Sequence, residues 1–295
     1  MSVTAEAVRL LRERTAAGMM ECKRALVETN GDLDAAAELM RRQGLAKADK
    51  KASRIAAEGV IAHAFSSDAK AAVLVEVNCE TDFVARGEEF GAFAAAVATA
   101  ALQTKAADVA ALLEAKLPGG ETVEENRRAL IARLGENISV RRFVRVESAG
   151  QLGSYLHGTR IGTLVALDGG DAALARDLAM HVAASNPLYL SAAEVPAAEA
   201  TKEREILIEQ ASKEGKPPEI VAKMVEGRLR KQLAEITLMG QPFVKDPEVS
   251  IEKLLKGANA KVTRYERLEV GAGIEKKQDD FVAEVMAQAK GSGGR

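Results

Sequence analysis

Val73, Leu74, Val75 and Val77 make a short apolar, largely β-branched run that turns abruptly polar at Glu80, Thr81 and Asp82 before placing Phe83. A run of this kind bounded by polar residues predicts a strand ending at a turn. The pattern returns along the chain. GVIAHAF, AAVLVEVNC and FGAFAAAVATAAL predict strand, strand and helix, and GSYLHG, RIGTLVALDG and LARDLAMHVAASNP predict that order again. Internal duplication predicts two related α/β subdomains, the first carrying a helical insert from about Thr122 to Leu134. Without a glycine-rich phosphate turn between strand and helix, small antiparallel or mixed sheets with helices on one face are expected.

The first residues read as three short helices. Thr4 caps one to about Arg14, Gly18 breaks the chain, Met19 to Thr29 forms the second before Asn30-Gly31, and Asp32 opens a third ending near Gly44. Val8, Leu11, Leu26, Leu33 and Leu39 are the stripes that must face one another. Met19 and Met20, at the mouth of a helix, suit either core or an adaptable contact surface, and contact is expected for one of them. From Arg41 to Arg54, six basic residues and one acidic one suggest a solvated tether, with a phosphate-rich partner as the alternative.

After Pro196 the alternation gives way to two charged helices, about Ala197 to Ser212 and Glu219 to about Ala234, around a turn at Gly215 to Pro218. Val221, Val225, Leu229 and Leu233 share one face of the second. Such a hairpin has too little core to stand alone, so its stripe serves itself, a second copy or a partner. TLMGQPFV and VTRYERLEVG then resume strand-like patterns, so the hairpin interrupts the second subdomain, and DDFVAEVMAQAK predicts a short amphipathic helix. The expected class is α+β. Its units are 1–54 (three helices and basic tether), 55–149 (first subdomain), 150–194 with 238–276 (second), 195–237 (hairpin) and 277–295 (C-terminal module).

Composition narrows the function. Lys and Arg number 41 against 43 Asp and Glu, a net charge of -2, which gives no basic excess for a dedicated nucleic-acid binder. Three tyrosines and no tryptophan leave little to stack bases. Cys22 and Cys79 match no CxxC pattern and are too few for a disulfide framework, which suits a reducing cytoplasm. Neither an apolar signal core nor a membrane-spanning run occurs in the sequence, so a cytoplasmic protein without a membrane role is expected.

The usual phosphate-loop, dinucleotide, nucleophile-elbow and zinc-pair motifs are missing from the sequence. Of three histidines, His63 in a strand-like segment and His181 in an apolar helix read as structural. His157 stands in a turn before Gly158 and reads as a contact residue, since neither nucleophile nor second ligand lies beside it. A thiol enzyme built on Cys79 is the weaker alternative, because a cysteine on a strand is usually a small core residue. No catalytic residue, cofactor or resident metal is expected. For Asp82 and Phe83 two readings stand: Asp82 or Thr81 caps a helix that Phe83 anchors to the core, or Asp82 and Phe83 project as an acidic and aromatic wedge.

The order of motifs resembles the elongation factor Ts family, guanine nucleotide exchange factors of elongation factor Tu. LRERTAAGMMECKRAL, GDLDAAAELMR, VNCETDFVAR, LGENISVRR, GSYLHGTRIGTLV, MHVAASNP, GKPPEIVAKMVEGR, GQPFV and EVGAGIEKKQDDF carry it in the family's order over nearly the whole chain. The resemblance implies a ubiquitin-associated-like N-terminal unit that touches the partner's GTPase domain through Leu11, Met19 and Met20. It implies that Thr81, Asp82, Phe83 and Val84 push into the nucleotide site, where Phe83 wedges between side chains and Asp82 disturbs the network holding magnesium. Leu134, Gly135 and His157 match interface positions. The hairpin matches a dimerisation or coiled-coil module, compatible with a homodimer, and a C-terminal helix from about Asp279 matches one that packs on the GTPase domain. Ala16 and Glu21 stand where relatives commonly have glycine and aspartate. An exchange factor needs no catalytic residue, since displacing magnesium uncovers the charge of the nucleotide phosphates.

Overall fold

In the computed structural model, residues 3–15, 17–213 and 217–275 are described, without the side chains of 45–49. The expected C-terminal helix and module 277–295 lie outside them, as do Gly215 and Lys216 of the turn at Gly215 to Pro218.

Helices α1 (Ala5–Thr15), α2 (Met19–Glu28) and α3 (Leu33–Lys51) form the N-terminal unit. Thr4 Oγ1 accepts from the Ala7 N–H and Asp32 Oδ1 from those of Asp34 and Ala35, so the first and third helices start at side-chain caps. Val8, Leu11, Cys22, Ala25, Leu26 and Ala36 close the core. The third helix does not end near Gly44. It continues through most of the basic segment read as a tether. Gly44 is buried, and a Cβ there would lie 3.2 Å from the Ala132 Cβ. Its missing side chain therefore lets another helix approach and does not terminate its own.

The first sheet has the order β1 (Glu58–Phe65), β2 (Ala71–Cys79), β3 (Ser139–Glu147), all antiparallel. Between β2 and β3 run α4 (Asp82–Ala85), α5 (Glu88–Thr104), α6 (Val109–Leu113) and α7 (Val123–Leu134). A capping box between Thr122 and Glu125 starts α7, the expected insert, which packs on α3. The second sheet has the order β4 (Gln151–His157), β5 (Ile161–Asp168), β8 (Lys261–Glu269). Helix α8 (Ala172–Ser185) follows β5. Then come α9 (Ala197–Ser212), α10 (Pro218–Ile236), the small ribbon β6 (Pro242–Phe243) and β7 (Asp246–Ser250), and α11 (Ile251–Gly257).

Side-chain alternation explains the layering. Val73, Val75, Val77 and Cys79 of β2 face α5, α6 and α7, whereas Ala72 and Leu74 face the other sheet. Val165 and Leu167 of β5 face α8 and α11, whereas Leu164 and Ala166 meet Ile61, Ala72 and Leu74 between the sheets. The result is helices, sheet, sheet, helices, with β2 buried along its whole length. Gly162 permits the close stacking, since a Cβ there would sit 2.4 Å from Ile61 Cγ2.

The hairpin uses its stripe on itself. Val225 and Leu229 of α10, with Val221 and Leu233, pack on Leu207 and Ala211 of α9. His181 is buried; its Nδ1 accepts from the Val244 N–H at 3.3 Å, which leaves Nε2 to donate to Gln241 Oε1 at 3.0 Å. Burial lowers its pKa, so it is a neutral structural group. The His63 pKa is likewise lowered by burial, and its Nδ1 lies 3.1 Å from Ser154 Oγ.

Candidate functional site

Strand β2 ends at Cys79, and the chain turns through Glu80 and Thr81 into the single turn of α4. Thr81 is the N-cap, its Oγ1 accepting from the Val84 N–H at 3.4 Å. The two readings of this stretch thus divide. Thr81 caps as expected, but Phe83 does not anchor the helix to the core: it is 84% exposed. Val84 and Ala85 pack inward in its place. One turn sends them one way and Phe83 the other, because successive helical residues point about 100° apart. Asp82 is half-exposed and pairs with Arg86 one turn on, at 2.9 Å.

A turn of four residues has no stability of its own. Its support comes from the segment after α7, which ends at Gly135 in the left-handed conformation, φ 80°, that glycine adopts without strain. The reversal brings Glu136 against the loop. Glu136 Oε2 accepts from the N–H groups of Glu80 and Thr81 at 3.1 and 3.0 Å, and Oε1 from the Thr81 hydroxyl at 2.6 Å. In return, Glu80 Oε1 accepts from the Asn137 N–H at 2.6 Å. Asn137 Nδ2 donates to the Arg54 carbonyl at 2.7 Å, and Lys51 Nζ donates to the Gly135 carbonyl, so the end of α3 joins the same cluster. The Cys79 thiol donates to the Thr81 carbonyl at 3.1 Å. Burial, with the carboxylates of Glu136 and Glu58 close by, pushes that thiol to about 12.

The structure gathers Thr81 to Val84 with Leu134 and Gly135, and Leu134 packs against the first core. His157 ends β4, exposed, its Nδ1 3.4 Å from the Tyr155 hydroxyl. The turn after it docks on β1, where the Ile61 N–H donates to the Thr159 carbonyl at 2.7 Å and Arg160 pairs with Glu58 at 2.5 Å. Glu58 lies opposite Cys79, so this turn sits at the same end of the sandwich as the loop. Met19 and Met20 are 59% and 65% exposed at the start of α2, on the helical unit. Leu11 requires a correction. It is fully buried among Val8, Cys22 and Leu26, so it holds that unit together and offers a partner no surface.

Glu80, Glu136 and Asn137 had no assigned role in the sequence. Glu136 lies 55 residues beyond Thr81, and no spacing rule reaches that far. Among the described residues no group of three His, Cys, Asp or Glu is placed to hold a metal ion, and no helix is long and apolar enough to cross a membrane.

A family model described as Elongation factor TS matches residues 80–272. The chain is 60% identical over 294 residues to Elongation factor Ts of Thioalkalivibrio sulfidiphilus, covering 99% of this chain and 100% of that one. It is 58% identical over 292 residues to Elongation factor Ts of Halorhodospira halophila, again 99% and 100%. With Elongation factor Ts of Legionella pneumophila the identity is 53% over 289 residues, 98% and 99% of the two chains. Fold and sequence together thus define a factor of translation elongation. Within that class the chain belongs to the elongation factor Ts family.

Proposed function

We propose that this protein binds elongation factor Tu in its GDP form and accelerates GDP release by disturbing the magnesium and phosphate site of that GTPase. The observation that carries the reading is Phe83, a large apolar side chain 84% exposed on a turn whose neighbours are fixed. Burying such a ring against a partner is worth about 2 kcal/mol, and a fixed base keeps that gain from being spent on ordering the loop. Phe83 wedges between partner side chains while Asp82 enters the network that holds the ion. The Asp82–Arg86 pair is solvent-exposed and worth at most about 0.5 kcal/mol, so Asp82 leaves it readily. By linkage, the factor that this protein takes off nucleotide affinity is the factor that nucleotide takes off its own, which closes the cycle.

The interface extends over Val84, Leu134, Gly135 and His157 on the sandwich and Met19 and Met20 on the helical unit. The protein acts in the cytoplasm as an exchange factor without catalytic chemistry, cofactor or direct nucleic-acid contact. The five units 1–54, 55–149, 150–194 with 238–276, 195–237 and 277–295 remain its proposed division. A homodimer through the hairpin is supported by Ile206, Ile208 and Ile220, 40%, 45% and 48% exposed on helices whose shared stripe is already used.

The test is the release rate of a fluorescent GDP from elongation factor Tu in magnesium, with catalytic amounts of this protein. Many-fold acceleration with turnover is expected. An unchanged rate with a cognate partner overturns the reading.

A further inference from the structure

We infer that Glu136 is a positioning residue for exchange: with Glu80 it forms a reciprocal clamp that sets the direction of Phe83 and Asp82. The inference rests on the exchange function proposed above. Its basis is the number of donors that one carboxylate satisfies. Glu136 takes the Glu80 N–H, the Thr81 N–H and the Thr81 O–H, three groups at the one place where β2 has ended and α4 has not begun. Hydrogen bonds to an ionised acceptor are the stronger kind.

The third bond sets the next one. Once the Thr81 hydroxyl gives its proton to Glu136, it has only lone pairs for the Val84 N–H, which is the capping contact of α4. Direction thus passes from Glu136 through Thr81 to the turn carrying Phe83. Glu80, held at the same point, returns a carboxylate to the Asn137 N–H at 2.6 Å. Neither strand of the clamp can slide without breaking both. Because Asn137 is only 6% exposed and also grips the Arg54 carbonyl, the clamp ties the wedge to the chain leaving α3. A loop held in this way meets its target already ordered, so the clamp acts on the rate at which bound nucleotide is expelled more than on encounter.

Glu136→Gln keeps the shape but leaves one oxygen for three donors. The maximal GDP release rate at saturating factor is expected to fall about tenfold, the size of effect that slight misplacement of a working group produces, with less than a threefold change in the half-saturating concentration. Thr81→Val, which removes the hydroxyl at nearly constant shape, is expected to fall likewise, and Thr81→Ser to retain the rate. In a background carrying both Asp82→Ala and Phe83→Ala, Glu136→Gln is expected to add nothing, because a positioning residue has nothing left to position.

A wild-type rate for Glu136→Gln where Phe83→Ala is slow overturns the clamp and leaves the wedge standing. A full additional loss in the doubly substituted Asp82→Ala, Phe83→Ala background overturns it too, since Glu136 then acts elsewhere. Should Glu136→Gln fail to fold by circular dichroism, the Thr81→Val and Thr81→Ser pair decides alone, equal rates overturning the clamp. If Phe83→Ala is as fast as wild type, the exchange reading itself has failed.

Discussion

Glu76 Oε1 accepts the backbone N–H of Gly271 at 2.8 Å, across 195 residues of chain. The same fully buried carboxylate takes Arg141 at 3.0 Å and Arg142 at 2.6 Å. Adjacent strand residues ordinarily point to opposite faces. Here the register shifts between Glu76 and Val77, leaving Arg141 as the extra residue of a bulge, so both guanidinium groups reach one carboxylate. They also grip the carbonyls of Ala272 and Glu269, so the first sheet holds the chain that leaves the second.

Removing Glu76 therefore loosens the join between the sheets. Glu76→Ala is expected to cost about 3 kcal/mol in urea unfolding, because the two arginines lose the carboxylate that neutralises them. Burial alone would raise the Glu76 pKa; the Gly271 N–H and the two arginines outweigh it and leave the pKa lowered. A carboxyl with a depressed folded pKa contributes fully above its unfolded pKa, about 4.3, and loses that contribution as pH falls through the folded value. The stability gap between wild type and Glu76→Gln is thus expected to be constant from pH 7 to about 6 and to shrink below about 4. A gap that widens on acidification would contradict the assignment.

Phe83 and Val84 are neighbours with opposite roles. Phe83→Ala is expected to leave stability within about 0.5 kcal/mol of wild type, since an exposed ring contributes little to the fold, while sharply reducing GDP release. Val84→Ala removes two methyl groups packed on the first core and is expected to cost about 1 kcal/mol. Melting curves and release rates measured on the same two proteins separate the roles; a destabilised Phe83→Ala would mean that the ring packs against the fold and is not free to act as a wedge.

Much of this fold is legible along the chain, and the failures have physical reasons. The central strands of the two subdomains, β2 and β5, show because they are buried on both faces and need unbroken apolar runs. Strand β3 does not show: SVRRFVRVE carries arginines whose partner, Glu76, lies some 65 residues upstream. Helix α3 reads as ending at Gly44 because a glycine is a common stop, whereas here it meets Ala132 on another helix. At the site, Thr81 is legible as a cap because capping is local. The exposure of Phe83 depends on whether Val84 and Ala85 fill the core without it, and only the assembled sandwich decides that.

Glycines divide by what surrounds them. A Cβ on Gly153 would lie 2.2 Å from the Ala175 carbonyl carbon, so α8 rests directly on β4 backbone there. Around Gly227, in α10, nothing lies within 4 Å. Gly153→Ala is expected to destabilise by about 3 kcal/mol, as overpacking against backbone does. Gly227→Ala is expected to stabilise by about 0.5–1 kcal/mol, because alanine loses less freedom in a helix interior. Thermal unfolding of the two variants tests both signs at once.

Both cysteines are buried, and Cys79 carries the stronger consequence. Thiol reagents attack the thiolate. Its pKa is pushed up to about 12 by burial and by the carboxylates of Glu136 and Glu58, so at pH 8 on the order of one molecule in ten thousand carries the reactive form. The thiol is also occupied, donating to the Thr81 carbonyl, and its removal from the loop requires β2 to part from α4. Native protein at pH 8 is expected to leave Cys79 unlabelled by a maleimide over hours, and protein in denaturant to label both thiols within minutes, as an unfolded thiol near its ordinary pKa does. Rapid native labelling at Cys79, located by peptide mapping, would mean that the base of the loop opens readily. A clamp of Glu80, Glu136 and Asn137 that opened so easily could not hold Phe83 in a fixed direction, so this experiment also bears on whether the wedge meets its target already ordered.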